Sequence, residues 1–387
     1  MFDTQVTPIA TAGTKSAHPS RIFGLDALRA LAVLLVLVGH TLAHQKPPAW
    51  IQWFWGAQGS LGVEIFFVLS GFLIGRILLK QLVANKLNNL RDLTQFLSRR
   101  WARTLPLYFA FLLIYFRFDY TGMGNMVTHA PFFVFLQNFA WQPIRFFEHS
   151  WSLAVEEWFY LLFPLLLLIA HKLTRSVDRA FWIAGTLFLV LPLLGRMWQV
   201  HRVSDWNDFN NLVRMVVACR LDSIFIGVLM AYLSVCHARW FKFVGQLAPI
   251  GIGALLVIAF YFACGAPGLP NQAVSQALLF PVISLMIATL LPGAIEWHGI
   301  DNGYLDRFIV FTSKISYSLY LGHIAMLTLV NSALEMYGVA VAGRLQTLAI
   351  YLVYFAFYYS FAFITYHAIE QPYLKLRDVG KKNSNVP

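Results

Sequence analysis

The sequence predicts an all-α fold, a polytopic bundle of transmembrane helices. Hydrophobic residues make up 58% of the 387 residues and charged residues only 12%, whereas a soluble domain carries about 25% charged residues. The apolar residues also gather in runs of about 20, the length with which a helix spans a bilayer. Both observations predict a multi-pass membrane protein.

Ten apolar runs are long enough to cross the bilayer, and each is predicted to form one helix. They cover residues 24–44, 59–79, 101–118, 151–170, 180–198, 212–235, 247–265, 275–292, 308–333 and 345–368. A shorter run at 131–141 is predicted to be re-entrant or interfacial. We therefore divide the chain into a mobile cytoplasmic tail (1–20), one membrane domain (21–376) and a second cytoplasmic tail (377–387).

The formal net charge of +11 is distributed as expected for membrane topology. Predicted loops on the side of the N-terminus carry seventeen Lys and Arg residues, and the opposite loops carry six. Cytoplasmic loops hold the excess of basic residues, so both termini are predicted to be cytoplasmic and no nucleic-acid partner is expected. Cys219, Cys236 and Cys264 lack disulfide or metal-binding spacing, and no metal site is predicted.

Arg29 and His40 occupy the first predicted span. Eleven positions separate them, so they share one helical face about 16 Å apart along the axis. Intramembrane charges usually face a protein interior or a wet cavity, which predicts a solvated path or a long, narrow substrate beside this helix. The alternative is an interfacial His40 that hydrogen-bonds to a loop.

Glu64 lies near the start of the second span, in GVEIFFVLSGFLIGR (62–76), at the predicted depth of His40. A carboxylate beside an imidazole fixes its tautomer and suits a general base. An ordinary buried ion pair is the alternative. Ser70 and Gly71 are predicted to permit close helix packing.

Three arginines stand in FLSRRWARTLP (96–106): Arg99, Arg100 and Arg103. Arg100 and Arg103 share a helical face at i, i+3, and arginine forks suit phosphate groups. Topological anchoring of a span explains three arginines equally well.

The fourth span opens with HSWSLAVEEWFYLLFP (149–164). Glu156 and Glu157 point about 100° apart, so at least one is expected to face the bundle interior. Aromatic rings beside carboxylates commonly hold sugars, although an interfacial aromatic belt also accounts for Trp151.

Two later segments carry further polar residues. Arg220 and Asp222 in the sixth span suit structural bracing or a site equally. In the ninth span, SKISYSLYLGH (313–323) places Tyr317, Tyr320 and His323 at helical spacing.

Together these segments resemble the integral-membrane acyltransferase family 3, which O-acylates sugars of bacterial surface polysaccharides and some small molecules. The matching pieces are R-x10-H (29–40), GVEIFFVLSGFLI, R-x-x-R (100–103), HSWSLAVEEWFYLLFP, RLDSIFIG and ISYSLYLGH, which together cover about 22–375. The family often has Asp at the position of Glu64. Some members carry an additional soluble esterase-like domain, which is not expected in the sequence up to Pro387.

The resemblance implies transfer of an acyl group, usually acetyl, from cytoplasmic acyl-CoA to a hydroxyl of a sugar or glycan acceptor at the bacterial inner membrane. It marks Arg29 and His40 as the catalytic pair, which we extend to Glu64, and Arg100 and Arg103 as the donor-binding pair, which we extend to Arg99. His323 is the rival base. The residues expected to bind the acceptor are His149, Trp151, Glu156, Glu157, Arg220, Asp222, Tyr320 and His323.

The alternative class is a secondary transporter or flippase for a sugar-linked lipid, because intramembrane Arg, Glu and His also mark transport paths. Such transporters commonly contain internal repeats or broken helices in matching positions, and the sequence contains neither pattern. The acyltransferase is therefore the favoured hypothesis.

Overall fold

The computed structural model describes residues 21–45, 58–117, 129–263, 273–339 and 344–375. Both predicted tails and Cys264 lie outside these ranges. Regular structure within them is entirely helical, which confirms the all-α fold class. The principal helices are α1 (Phe23–Gln45), α2 (Gln58–Val83), α3 (Leu90–Arg117), α4 (Trp151–Thr174), α5 (Val177–Gln199), α6 (Leu221–Cys236), α7 (Ala238–Gln246), α8 (Ala248–Ala263), α9 (Ala273–Ala288), α10 (Gly303–Met336) and α11 (Arg344–Thr365).

Each of the ten predicted spans overlaps one of these helices. Seven described helices are long and apolar enough to cross a membrane alone, and the pair α7 and α8, bent by 49°, would make an eighth. The other two are α3, which carries Arg100 and Arg103, and α6, which has only 16 residues. The structure is thus a multi-pass membrane protein, and the number of ten spans stays a prediction.

The sixth predicted span, 212–235, is wrong over residues 212–220, because α6 begins only at Leu221. Residues Asn210–Arg214 form a π-helical turn and Val217–Cys219 a 3-10 turn before α6 begins. The backbone N–H groups of Val217 and Ala218 instead donate to carbonyl oxygens of 138 and 139, both at 2.9 Å. Residues 138 and 139 belong to the run at 131–141 that was predicted to be re-entrant or interfacial. A short 3-10 helix (Ala130–Val134) overlaps the start of this run, and the run forms no membrane-spanning helix.

Helix α2 is central and packs most extensively on α6 and α1. A Cβ on Gly71 would collide with the carbonyl oxygen of Ile224, and one on Gly227 with that of Val68. The α2 and α6 backbones therefore touch, as small residues permit in membrane helices. The close packing predicted for Gly71 is confirmed.

Helices α1 and α10 run in the same direction side by side. Arg29 near the start of α1 lies 3.3 Å from Ser313, and His40 near its end lies beside His323. The two helices therefore bring polar side chains together at two levels, Arg29 with Ser313 and His40 with His323. The candidate site lies along this pair of helices.

Candidate active site

A cavity of about 110 Å³ lies between α1, α2, α3, α4 and α10. Its lining combines apolar and polar side chains. The polar lining residues are Arg29, Ser70, Arg100, Arg103, Thr104, Ser152, Glu156, Ser316, Tyr317 and Tyr320. Arg29 of α1 thus faces the same space as Arg100 and Arg103 of α3.

Arg100 is held at the cavity wall by α4. Its Nη2 donates to the Tyr160 hydroxyl at 2.6 Å and to Glu156 Oε2 at 3.3 Å. The guanidinium also lies over the Tyr160 ring, 4.4 Å from its centre. Ser70 of α2 completes this group with a hydrogen bond to the Tyr160 hydroxyl. The Arg100 guanidinium is therefore held in one orientation at the cavity, with Glu156 as its ion-pair partner.

The two adjacent glutamates have separate surroundings. Glu156 lines the cavity, whereas the Glu157 carboxylate accepts hydrogen bonds from Trp101 Nε1 at 2.9 Å and Thr104 Oγ1 at 3.1 Å. The latter contacts join α3 to α4. Glu156 is thus placed to meet a substrate, and Glu157 holds two helices together.

Arg29 lies with the cavity arginines. Its Nη1 is 3.3 Å from both Asp26 Oδ1 and Ser313 Oγ, and Ser313 donates to Asp26 at 2.6 Å. Arg99, which directly precedes Arg100 in the sequence, is not among the lining residues. The structure therefore groups Arg29 with Arg100 and Arg103, and places Arg99 outside the cavity.

His40, His149 and His323 come together from α1, the turn before α4, and α10; we call them the three-histidine cluster. The His323 ring centre lies 4.8 Å from that of His40 and 5.4 Å from that of His149. No group of three or more His, Cys, Asp or Glu within the described ranges could hold a metal ion. The His323 ring is tilted by 58° to that of His40 and meets that of His149 edge to face at 65°.

Backbone carbonyl groups fix the tautomers of these rings. Nδ1 of His40 lies 2.9 Å from the Val36 oxygen, and Nδ1 of His323 lies 2.7 Å from the Tyr320 oxygen. A carbonyl oxygen only accepts, so each Nδ1 must donate and Nε2 is the basic nitrogen of the neutral ring. Nε2 of His323 is buried and has no hydrogen-bond partner among the described residues.

Tyr320 joins the cavity to the three-histidine cluster. Its hydroxyl donates to the His149 backbone oxygen at 2.9 Å and lies 2.6 Å from Ser152 Oγ. Tyr320 and Ser152 both line the cavity. Tyr320 thus lies between the cavity, which three arginines also line, and the three-histidine cluster.

The predicted pairing of Glu64 with His40 is wrong. The Glu64 carboxylate pairs with Arg220 and accepts a hydrogen bond from Ser284 at 3.0 Å. The His40 ring instead faces Gly59, whose ideal Cβ would lie 3.9 Å from Cε1. Glu64 is five residues further along α2, which turns it by about 140°, toward α6.

Arg220 and Asp222 belong to a buried ion-pair network, defined here as Glu64, Arg196, Arg220 and Asp222. Asp222 accepts from Arg196 at 2.7 Å, and Arg196 also donates to backbone oxygens of 219 and 277, both at 2.6 Å. None of the four lines the cavity. Their contacts join α2, α5, α6 and α9, so the position of Arg220 and Asp222 favours bracing over acceptor binding.

Sequence reasoning missed several polar residues of the site. Asp26 lies one helical turn before Arg29, and Tyr160 one turn after Glu156, so the i, i+3 and i, i+4 spacings could have identified both. Ser70 was interpreted as a packing residue, yet it lines the cavity. The contacts of Ser313 come from a distant helix and leave no local signal.

Comparison with known proteins gives a consistent result. A family model described as an acyltransferase domain matches residues 22–367. The O-acetyltransferase OatA of Staphylococcus aureus (strain NCTC 8325 / PS 47) is 29% identical over 386 residues, covering 93% of this chain and 58% of the relative. The putative O-acetyltransferase SAR0937 of S. aureus (strain MRSA252) is 27% identical over 405 residues, covering 94% and 59%. The chain therefore spans less than two thirds of the length of these relatives. No solved structure matches it.

Proposed function

The chain belongs to the acyltransferase 3 family, and from that premise we propose that it is an O-acetyltransferase. It would transfer the acetyl group of acetyl-CoA to a hydroxyl of a cell-envelope glycan at the bacterial inner membrane. The observation that carries this proposal is the convergence of Arg29, Arg100 and Arg103 on one cavity, whose lining residue Tyr320 also contacts the three-histidine cluster.

The arginine end suits the phosphate groups of coenzyme A. Guanidinium groups bind phosphate through paired, charge-assisted hydrogen bonds, and Arg100 keeps Nη groups beside the cavity although Glu156 partly offsets its charge. Arg29 and His40 are about 16 Å apart along α1. The arginines would therefore bind the phosphates of coenzyme A, and its long, thin pantetheine arm would present the thioester at His40.

The histidine end suits general base catalysis. In the proposed reaction Nε2 of His40 takes the proton of the acceptor hydroxyl while that oxygen attacks the acetyl carbon. The carbon–sulfur bond then breaks, and the imidazolium returns the proton to the thiolate. A positioned base of this kind contributes about 10²–10⁴ in rate. The His323 ring lies beside the ring that would become charged, with 4.8 Å between the ring centres.

The proposed topology puts the arginine end near the cytoplasm, where acyl-CoA is made, because both termini are taken as cytoplasmic. Cysteines introduced singly at Glu148 and at Arg175 test it with a membrane-impermeant maleimide. The proposal expects labelling from outside at position 148 only. Labelling at 175 only would invert the topology and place the histidine end toward the cytoplasm.

The activity is tested with the purified full chain in nanodiscs and acetyl-CoA labelled in the acetyl group. We expect release or transfer of label that the His40→Ala variant lacks. In cells, envelope glycans should lose the mass of an acetyl group when the protein is removed. Retained glycan acetylation, together with uptake of a sugar-linked lipid by sealed vesicles, would instead indicate a transporter.

A further inference from the structure

Arg214 forms no ion pair among the described residues. It ends the π-helical turn Asn210–Arg214, and its guanidinium carbon lies 5.0 Å from the centre of the Trp151 ring. Nη1 donates to the Asn210 side chain at 3.3 Å, whereas the buried Nε has no hydrogen-bond partner among the described residues. The nearby Glu148 is exposed, and no ion pair joins it to Arg214 in the part of the chain that the structure describes.

The carboxylates near Arg214 are not paired with it. Glu64 pairs with Arg220, and Glu148 is exposed. Asp222, the other carboxylate of the buried ion-pair network, pairs with Arg196. A partly buried charge without a partner is costly, so Arg214 is suited to an anion supplied from outside the protein.

The position of Arg214 indicates which substrate would supply that anion. Trp151 starts α4 two residues after His149, and its ring meets Phe67, a cavity-lining residue, edge to face at 5.9 Å. The Asn138 amide donates to the Trp151 oxygen at 3.2 Å and to the backbone oxygen following Arg214 at 2.5 Å. Arg214 is therefore held firmly at the histidine end, away from the arginines proposed to bind the donor.

We propose that Arg214 binds an anionic group of the acceptor, and that the acceptor is an acidic sugar. A guanidinium binds a carboxylate or phosphate through paired hydrogen bonds, and the buried Trp151 ring holds that guanidinium in place. That the ligand of Arg214 is the acyl acceptor rests on the proposed acyl transfer. Recognition of an acidic sugar is independent of it and can be measured without any acyl donor.

The test measures binding of matched sugars to the full chain in phosphatidylcholine nanodiscs, whose lipid carries no net negative charge. p-Nitrophenyl β-D-glucuronide and p-nitrophenyl β-D-glucoside differ only in the carboxylate, and glucose 6-phosphate and glucose differ only in the phosphate. We expect at least tenfold tighter binding of one or both acids than of their neutral partners. Arg214→Gln should reduce that preference to about one, and Arg214→Lys should retain part of it.

Arg202→Gln is the matched control, because Arg202 also lies over an indole, that of Trp198 at 5.6 Å, but outside the cavity region. It should keep the full preference. Equal binding of acids and neutral sugars by the wild type, including no binding of either, overturns the inference. So does a preference that survives Arg214→Gln. Binding of acetyl-CoA should be unchanged in Arg214→Gln. If the acidic sugars show no preference, the proposed acetyl-CoA binding is unaffected. If acetyl-CoA does not bind, the sugar measurement still tests the role of Arg214.

Discussion

Two regions of the bundle contain intramembrane charges, and they differ in what those charges face. In the proposed catalytic region, formed by the cavity and the three-histidine cluster, Arg100 forms an ion pair with Glu156 and lines the cavity. In the buried ion-pair network, Arg220 pairs with Glu64 in the protein interior and does not line that cavity. A charge within the membrane therefore does not by itself indicate a functional site. We expect access to open space to separate substrate-binding charges from bracing charges.

Substitution of His40 should have the largest effect on the catalytic region. His40→Ala should lower the acetyl-transfer rate by about 10²–10⁴, the contribution of a general base, while expression and donor binding stay near wild type. An imidazolium cannot accept a proton, so the wild-type rate should fall at acidic pH. That acid limb should be missing from the residual activity of the variant.

His298→Ala is the control, because His298 is exposed and distant in sequence from the cluster; it should keep full turnover. If His40→Ala keeps most of its turnover and His323→Ala has none, the base is His323. The assignment of His40 would then be wrong, although the catalytic region would stand.

Glu64→Gln should affect stability in the buried network. It leaves the Arg220 guanidinium without its counter-charge, and breaking a buried pair costs about 3–5 kcal/mol. We expect a lower thermal midpoint in detergent and a lower yield, with turnover per folded molecule close to wild type. Glu335→Gln makes the same chemical change at an exposed position and should lower neither the thermal midpoint nor the yield.

A variant Glu64→Gln with normal stability but greatly reduced turnover would contradict this division. It would restore a catalytic role to Glu64, as the sequence alone suggested.

Arginine substitutions should affect donor use without unfolding the protein. Each charge-assisted hydrogen bond to phosphate contributes about 1.5–3 kcal/mol, so Arg100→Ala with Arg103→Ala should raise the KM for acetyl-CoA at least tenfold. Lysines at both positions should restore it only in part, because they lack the fork. Arg99→Ala is the neighbouring control outside the cavity lining. A double variant that uses acetyl-CoA like the wild type would reduce these arginines to topological anchors.

Trp101→Phe should have the smallest effect and separates the two adjacent glutamates. It removes one hydrogen bond to Glu157, about 1 kcal/mol, and should lower the thermal midpoint slightly with no change in donor KM. The same substitution at the exposed Trp240 should change neither value. A raised KM in Trp101→Phe would mean that Glu157 also serves the donor site.

Hydrophobic runs were sufficient to predict the helices, because a membrane span needs a fixed length of apolar chain. They failed at 212–219, where backbone hydrogen bonds to residues 138 and 139 replace helical ones. That pairing joins segments about 80 residues apart and leaves no periodic signal. Helix existence was thus predictable from local sequence, and its interruption was not.

The candidate site was predictable in its residue types more than in their partners. Arg100 and Arg103 face the cavity as their shared helical face suggested. The partner of Glu64 was wrong because helical spacing gives a direction on one helix but not which neighbour lies there. For the same reason His149 and His323 were identified as single candidates, and the three-histidine cluster forms only once α1, α10 and the turn before α4 are assembled.

The most direct test of the division between cavity and network is a cryo-electron microscopy structure of the full chain in nanodiscs. The ligand would be an acetyl-CoA analogue whose thioester sulfur is replaced by a methylene group. The account predicts density for its phosphates at Arg100 and Arg103 and for its acetyl end at His40, with the Glu64–Arg220 pair unchanged. Density for the analogue at Arg220 or Arg196, or an acetyl end remote from the three-histidine cluster, would contradict it.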